Sequence, residues 1–156
     1  MSDRAAPPTS VGFSSPLLAT NATAVSHNVL PLVSDEHVVA LRRVVRDHAI
    51  ELKLSLIEQT KLVTAASELA RNTIKSGGGG EVQVGPLGRR VADGLRLAFA
   101  DDGPGIADLK LALTDGYTTG GGLGLGLSGA KRLVDEFDID TAVGQGTTIS
   151  VIKWCR

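Results

Sequence analysis

The chain has 156 residues, 42% of them hydrophobic, which is enough to bury the core of one domain without disulfides. Its formal net charge is -1 at pH 7 and aromatic residues make up 3%, which argues against a nucleic-acid-binding surface. The single cysteine excludes an internal disulfide, and no apolar stretch reaches the roughly 20 residues that span a bilayer. We therefore expect a cytoplasmic domain that binds neither nucleic acid nor a membrane.

Apolar periodicity and turn residues divide the chain into a tail and one folded domain. Residues 1–28 are rich in Ala, Ser, Thr and Pro and are expected to be a disordered tail, which leaves 29–156 as the domain. The predicted elements are an edge strand at 29–33, helices at 36–53 and 55–75, strands around 82–84 and 95–100, a short helix at 107–113, a helix at 126–136, and strands at 138–143 and 147–154. Strands joined by short turns predict an α/β two-layer sandwich, with a mixed, mostly antiparallel sheet and helices on one face.

Local signals support two of these elements. Pro31 is tolerated in a strand only at the edge of a sheet, so the first strand is expected there. Ser55 and Glu58 match a capping box at the start of the second helix, because their spacing allows each side chain to bond the other residue's backbone. A polar turn is expected from Pro86 to Gly94.

A glycine-rich loop precedes the helix predicted at 126–136. The run from Gly124 to Gly129 matches G-x-G-x-x-G, but the residues before it are typical of a loop, whereas a dinucleotide-binding fold requires a strand there. The sequence contains no G-x-x-x-x-G-K-[ST] motif and lacks the H-R-D and D-F-G motifs of eukaryotic-type kinases. Glycines at a helix N-terminus let backbone N–H groups approach phosphate oxygens, so the loop favours phosphate binding over a plain surface loop.

Glu68 and Asn72 lie four residues apart on the second predicted helix and therefore share a face. A carboxylate can act as a general base, and an Asn carbonyl is a hard ligand suited to Mg²⁺. An ordinary solvated helix face explains this pair better when it is taken alone.

Asp101 and Asp102 follow a strand and precede Gly103 and Gly105. A carboxylate at a strand end can accept a hydrogen bond from an adenine amino group, and the glycines would let the base lie against the backbone. An ordinary turn explains this segment equally well. Thr147 opens the last predicted strand, where its hydroxyl could reach a ligand, although a β-branched residue there needs no function.

Taken together and in this order, the segments resemble the motifs of the GHKL (Bergerat-fold) ATPase superfamily. The matching segments are Glu68-Leu-Ala-Arg-Asn72, Asp101-Asp-Gly103-Pro-Gly105, Gly122-Leu-Gly124-Leu-Gly126 and Gly144-Gln-Gly146-Thr147. The resemblance covers about residues 30–154 and is greatest to the anti-sigma serine/threonine kinases that act as partner switches in bacterial stress signalling. It implies the Bergerat ATP-binding fold, with ATP and Mg²⁺ as cofactors.

The resemblance also implies a role for each matching residue. Glu68 would activate the substrate hydroxyl, Asn72 would coordinate Mg²⁺, and Asp101 would bind the adenine amino group. The other residues implied to bind the nucleotide are Lys75, Gly103, Gly105, Gly120, Gly122, Leu123, Gly124, Leu125, Gly126 and Thr147.

The implied reaction transfers the γ-phosphoryl group of ATP to a serine of a STAS-domain antagonist protein. A serine/threonine phosphatase regulator is the implied second partner, and a homodimer is left open. One alternative is a non-catalytic ATP-gated switch or anti-sigma factor that acts by sequestration; another is an ATP-hydrolysing fragment of a larger machine. Intact Glu68 and Asn72 favour the kinase.

Overall fold

Five strands and four helices make up the part of the chain that this computed structural model describes, residues 27–88, 93–114 and 126–155. In chain order they are β1 Asn28–Leu32, α1 Asp35–Glu51, α2 Leu56–Lys75, β2 Gly80–Leu87, β3 Gly94–Asp101, α3 Leu109–Ala112, α4 Gly126–Arg132, β4 Glu136–Ala142 and β5 Gly146–Trp154. Across these described residues, no helix is both long and apolar enough to cross a bilayer.

The strands form one sheet in the order β1-β2-β3-β5-β4, and every neighbouring pair is antiparallel. The sheet was expected to be mostly antiparallel, and its described part is entirely so. β1 lies at one edge of the described sheet, as Pro31 predicts. Proline has no backbone N–H to donate to a neighbouring strand, and at an edge no strand requires that donor.

The core lies between one face of the sheet and helices α1 and α2. Leu95, Leu97 and Phe99 alternate along β3 and are fully or almost fully buried against this layer. Helix α2 buries Leu62 and Leu69 in the same core, and burying each such side chain stabilises the fold by about 1.5–3 kcal/mol. The expected two-layer α/β sandwich is therefore confirmed.

Two predicted boundaries are wrong, both because strand pairing overrides the local pattern. Strand β2 continues through Pro86 to Leu87, where a turn was expected. Described pairing with β1 ends at Val84, so Pro86 interrupts no ladder on that side within the described residues. The last predicted helix was expected to reach residue 136, but it ends at Arg132, and the N–H of Asp135 bonds the carbonyl of Ile152 in β5.

The capping box expected at the start of α2 forms only in part. The Ser55 hydroxyl accepts the backbone N–H of Glu58 at 3.2 Å, as predicted. The Glu58 carboxylate does not return to Ser55, because it pairs with Lys153 of β5 and, at 3.5 Å, with Lys61. The first turn of α2 is thereby fastened to the end of the sheet.

Candidate nucleotide-binding site

Helix α2 presents Glu68, Asn72 and Lys75 along one stripe, because residues three and four apart share a helix face. Glu68 is mostly buried, and its carboxylate receives a hydrogen bond from Arg71 at 3.4 Å. Asn72 is half-buried, whereas Lys75, in the last turn, is exposed. The apolar side of the helix packs in the core, so this polar stripe is held at the margin of the two layers.

The turn after α2 brings this helix against the Asp101 segment. The carbonyl of Asn72 accepts the N–H of Gly77 at 3.2 Å and closes the helix. A Cβ on Gly77 would overlap the carboxylate of Asp101, and a Cβ on Gly103 would overlap the backbone of Gly77. Gly77 directly follows the end of α2, and in the structure it forms a wall of the candidate site, so close to Asp101 that no side chain fits.

Asp101 ends β3 and is only 5% exposed. Its Oδ1 accepts the N–H of Gly103 at 2.9 Å, and the backbone N–H of Thr147 also hydrogen-bonds the carboxylate. Burial raises the pKa of Asp101, and these two hydrogen bonds oppose that rise. No Lys or Arg of the described chain forms an ion pair with it. A carboxylate has about four acceptor positions, so it keeps capacity for a donor from a ligand.

Glycines allow the Asp101 turn to pack on the β4–β5 hairpin. Gly105 (φ +77) and Gly146 (φ +87) adopt left-handed conformations that disfavour any side chain. A Cβ on Gly146 would overlap the Asp101 carbonyl, and one on Gly105 would overlap the Ala142 carbonyl. The segments Asp101–Gly105 and Gly144–Thr147, both predicted to bind the nucleotide, are therefore in direct contact.

Thr147 lies directly opposite Asp101 in the β3–β5 ladder, so both side chains are on the helix-facing side of the sheet. Its hydroxyl is 2.9 Å from the hydroxyl of Thr141 on β4, which also accepts the N–H of Ile106 at 2.9 Å. Sequence reasoning missed Thr141. The register of the β4–β5 hairpin indicates Thr141, because this residue pairs with Thr147 across the turn that follows Ala142.

The glycine loop lies mostly outside the described residues. Gly120, Gly122, Leu123, Gly124 and Leu125 are among those not described. Gly126 begins α4 with φ +64, a conformation that favours glycine.

Helix α4 packs on α2 and buries Leu127 and Ala130. The helix that follows the predicted phosphate-binding loop therefore contacts the helix that carries Glu68 and Asn72. Within the described residues, this contact between α4 and α2 connects the C-terminal end of the predicted loop to the rest of the candidate site.

These contacts suit the adenine end of a nucleotide. Asp101 and Thr147 supply paired polar groups on a buried surface, while α2 supplies a carboxylate and an amide. In the described part of the chain, no cluster of three His, Cys, Asp or Glu residues is suited to hold a metal ion. Mg²⁺ needs no such cluster, because it commonly takes one or two protein oxygens together with phosphate oxygens and water. The amide of Asn72 fits that mode.

Known proteins are similar to this chain in sequence and in fold. The serine/threonine-protein kinase RsbT of Bacillus subtilis is 41% identical over 125 residues, which cover 80% of this chain and 94% of RsbT. This similarity confirms the prediction of an ATP-dependent serine/threonine kinase.

A crystal structure of the RsbU and RsbW domains of a Mycobacterium tuberculosis protein matches 85% of this chain with a TM-score of 0.56. At 21% identity, this likeness supports the fold alone, and the chain spans 32% of the length of that protein chain. Residues 57–154 match the family model described as histidine kinase-, DNA gyrase B-, and HSP90-like ATPase. The chain therefore belongs to this ATPase family, as the order of its motifs predicts.

Proposed function

We propose that this kinase transfers the γ-phosphoryl group of ATP to a serine of a STAS-domain antagonist protein. The observation that carries the nucleotide site is the buried Asp101 carboxylate, held by backbone donors and placed opposite Thr147. Release of the phosphorylated antagonist and binding of a serine/threonine phosphatase regulator complete the proposed switch. A homodimer is left open, and a cytoplasmic location remains a prediction from the sequence.

The base would bind at the end of the β3–β5 pair. Asp101 accepts a hydrogen bond from the adenine amino group, and Gly77, Gly103 and Gly105 let the backbone pack closely around the Asp101 turn, where a side chain would overlap. Because the carboxylate is buried, a hydrogen bond to it is stronger than the same bond in water. Recognition of adenine thus rests on one buried acceptor, which the close backbone packing holds in place.

The phosphates would lie along the polar stripe of α2. Asn72 would hold Mg²⁺, which would neutralise phosphate charge when bound. Lys75 is exposed at the C-terminal end of the helix and can meet a phosphate oxygen. Gly126, at the start of α4, lets backbone N–H groups approach the phosphates.

Glu68 would act on the nucleophile. The serine Oγ attacks the γ-phosphorus, the bond from that phosphorus to the bridging oxygen of ADP breaks, and the hydroxyl proton passes to the Glu68 carboxylate. Arg71 donates to this carboxylate at 3.4 Å and restricts its orientation. The products are ADP and phosphoserine.

A label-transfer assay tests this proposal. The protein is incubated with γ-labelled ATP, Mg²⁺ and a STAS-domain protein encoded beside its gene, and label on serine is counted. We expect Glu68→Gln to slow transfer about 10²–10⁴-fold while ATP affinity changes less than about threefold. Glu51→Gln, the same change at an exposed end of α1, serves as the control and should keep the wild-type rate.

Two outcomes would contradict the proposal in different ways. Transfer at the wild-type rate by Glu68→Gln removes the assigned role of that carboxylate. ATP-dependent binding of the STAS protein without any transfer of label indicates a sequestering switch instead of a kinase acting on that protein.

A further inference from the structure

Thr141 is the residue at this site that the motifs do not include, and its hydroxyl has three partners. Its Oγ1 accepts the N–H of Ile106 at 2.9 Å, lies 3.2 Å from the carbonyl oxygen of Gly146, and lies 2.9 Å from the Oγ1 of Thr147. The hydroxyl therefore joins the loop after Asp101, the β4–β5 turn and the first residues of β5.

The single proton of the Thr141 hydroxyl limits how these three bonds can form together. A threonine hydroxyl has one proton to donate and two lone pairs to accept with. The Ile106 N–H occupies one lone pair of Thr141, and the carbonyl of Gly146 can only accept, so it takes the Thr141 proton. The contact between the two hydroxyls fits donation in either direction, and with the Thr141 proton on the Gly146 carbonyl it is Thr147 that donates.

The consequence falls on Thr147, the residue opposite Asp101. With its own proton committed to Thr141, the Thr147 hydroxyl presents only lone pairs to a ligand. Asp101, when ionised, also presents only acceptors, and both side chains are on the same face of the ladder. The base end of the site thus has two neighbouring acceptors and no side-chain donor from this pair.

We propose that Thr141 is a positioning residue that makes this site selective for purines with an amino group at position 6 over those with a carbonyl there. The inference rests on the proposed nucleotide site. Adenine offers a donor at position 6, whereas hypoxanthine offers an acceptor, which two acceptors would repel. Without the Thr141 hydroxyl, the Thr147 proton becomes free to donate to a carbonyl, and the discrimination weakens.

The test compares equilibrium affinities for ATP and ITP, measured by calorimetry on the full chain. We expect the wild type to prefer ATP by about tenfold or more. Thr141→Val keeps the shape and removes the hydroxyl, and it should reduce that preference about three- to tenfold. Thr141→Ser restores the hydroxyl and should restore the preference.

A double-substitution cycle separates positioning from general damage to the fold. In a Thr147→Val background, Thr141→Val should leave the ATP-to-ITP ratio unchanged, because the hydroxyl through which Thr141 acts is gone. Thr148→Val makes the same change on the opposite face of β5 and should keep the wild-type ratio. If Thr141→Val does not fold, Thr141→Ala takes its place in the cycle.

The other possible outcomes each contradict the inference or the proposed function. The inference is overturned if Thr141→Val weakens the binding of ATP and ITP by the same factor. It is also overturned if Thr141→Val lowers the ATP-to-ITP affinity ratio as much in the Thr147→Val background as in the wild type. In either case Thr141 has no role in selectivity. If the wild type binds both nucleotides equally, the inference fails while the proposed nucleotide site stands. If the wild type binds neither, the proposed function fails and the inference with it.

Discussion

Two buried charged residues lie on the helix-facing side of the sheet, at opposite ends of the β3–β5 pair. Asp101 is 5% exposed and Lys153 is 6% exposed. Lys153 forms ion pairs with Glu58 of α2 and, at 3.7 Å, with Asp135 before β4. Asp101 has backbone hydrogen bonds and, in the described chain, no cationic partner.

This difference separates a charge that the fold compensates from one that it does not. Burying a charge is unfavourable at both ends, but the Lys153 charge is compensated within the fold by Glu58 and Asp135. At Asp101 the compensation is incomplete, since burial still raises the pKa of the carboxyl. A group that the fold leaves under-compensated, beside close-packed glycines, is suited to bind a ligand that completes its hydrogen bonds.

The largest expected effect is on ligand affinity at the Asp101 end. Asp101→Asn keeps the size of the side chain but removes the charge, and we expect ATP to bind about 10- to 100-fold more weakly, as charge-assisted hydrogen bonds predict. Calorimetry measures this change. Because the substitution also removes a buried charge, its melting temperature at pH 7 should equal or exceed that of the wild type. A large loss of stability with unchanged affinity would reverse the assignment of the two ends.

The next effect is on stability at the Lys153 end. Lys153→Met leaves Glu58 and Asp135 without their cation, and we expect the free energy of unfolding to fall by about 2 kcal/mol. This is less than for a fully buried pair, because both carboxylates are partly exposed. Urea titration measures the change, and ATP affinity should stay within about threefold. Lys61→Met is the control: it breaks a pair with the same Glu58 at an exposed position, so its cost should be below about 0.5 kcal/mol.

A smaller effect is expected from the wall behind Asp101. Gly77→Ala would place a Cβ on the carboxylate, and we expect ATP affinity to fall about tenfold as Asp101 is displaced. Gly78→Ala provides the contrast, because it meets no atom within 4 Å but strains a residue with φ +79. That control should lower the melting temperature and leave ATP affinity close to wild type. Equal affinities for the two variants would show that the wall does not position Asp101.

The smallest effect is the pH dependence of stability. Because the folded pKa of Asp101 is raised, the native state binds its proton more tightly than the unfolded state does. Wild-type stability therefore loses this contribution as pH rises from the ordinary carboxyl range through the raised pKa. Asp101→Asn lacks this loss, so its advantage over wild type should be greatest at pH 7 and shrink on acidification. Melting curves between pH 4 and 7 measure the difference, and an advantage that grows on acidification would contradict the sign.

The sequence identified the segments of the candidate site wherever the relevant information is local. Glu68 and Asn72 share a face because helical spacing places them there, and the Asp101 turn carries its own glycines. Gly77 and Thr141 were not found, because their importance depends on contacts across elements. Gly77 matters only because the turn after α2 meets β3, and Thr141 only because β4 pairs with β5 in one register.

The sequence by itself determined the family, the two-layer class and the order of the motifs, because periodicity, turn chemistry and motif spacing are written along the chain. The tertiary structure decided which buried charge has ion-pair partners within the described chain and which has only backbone hydrogen bonds. Asp101 and Lys153 are both charged residues at the ends of strands, and only packing against α2 pairs Lys153 with Glu58. Burial and hydrogen-bond partners depend on the whole fold, so the function of a buried charge is decided in three dimensions.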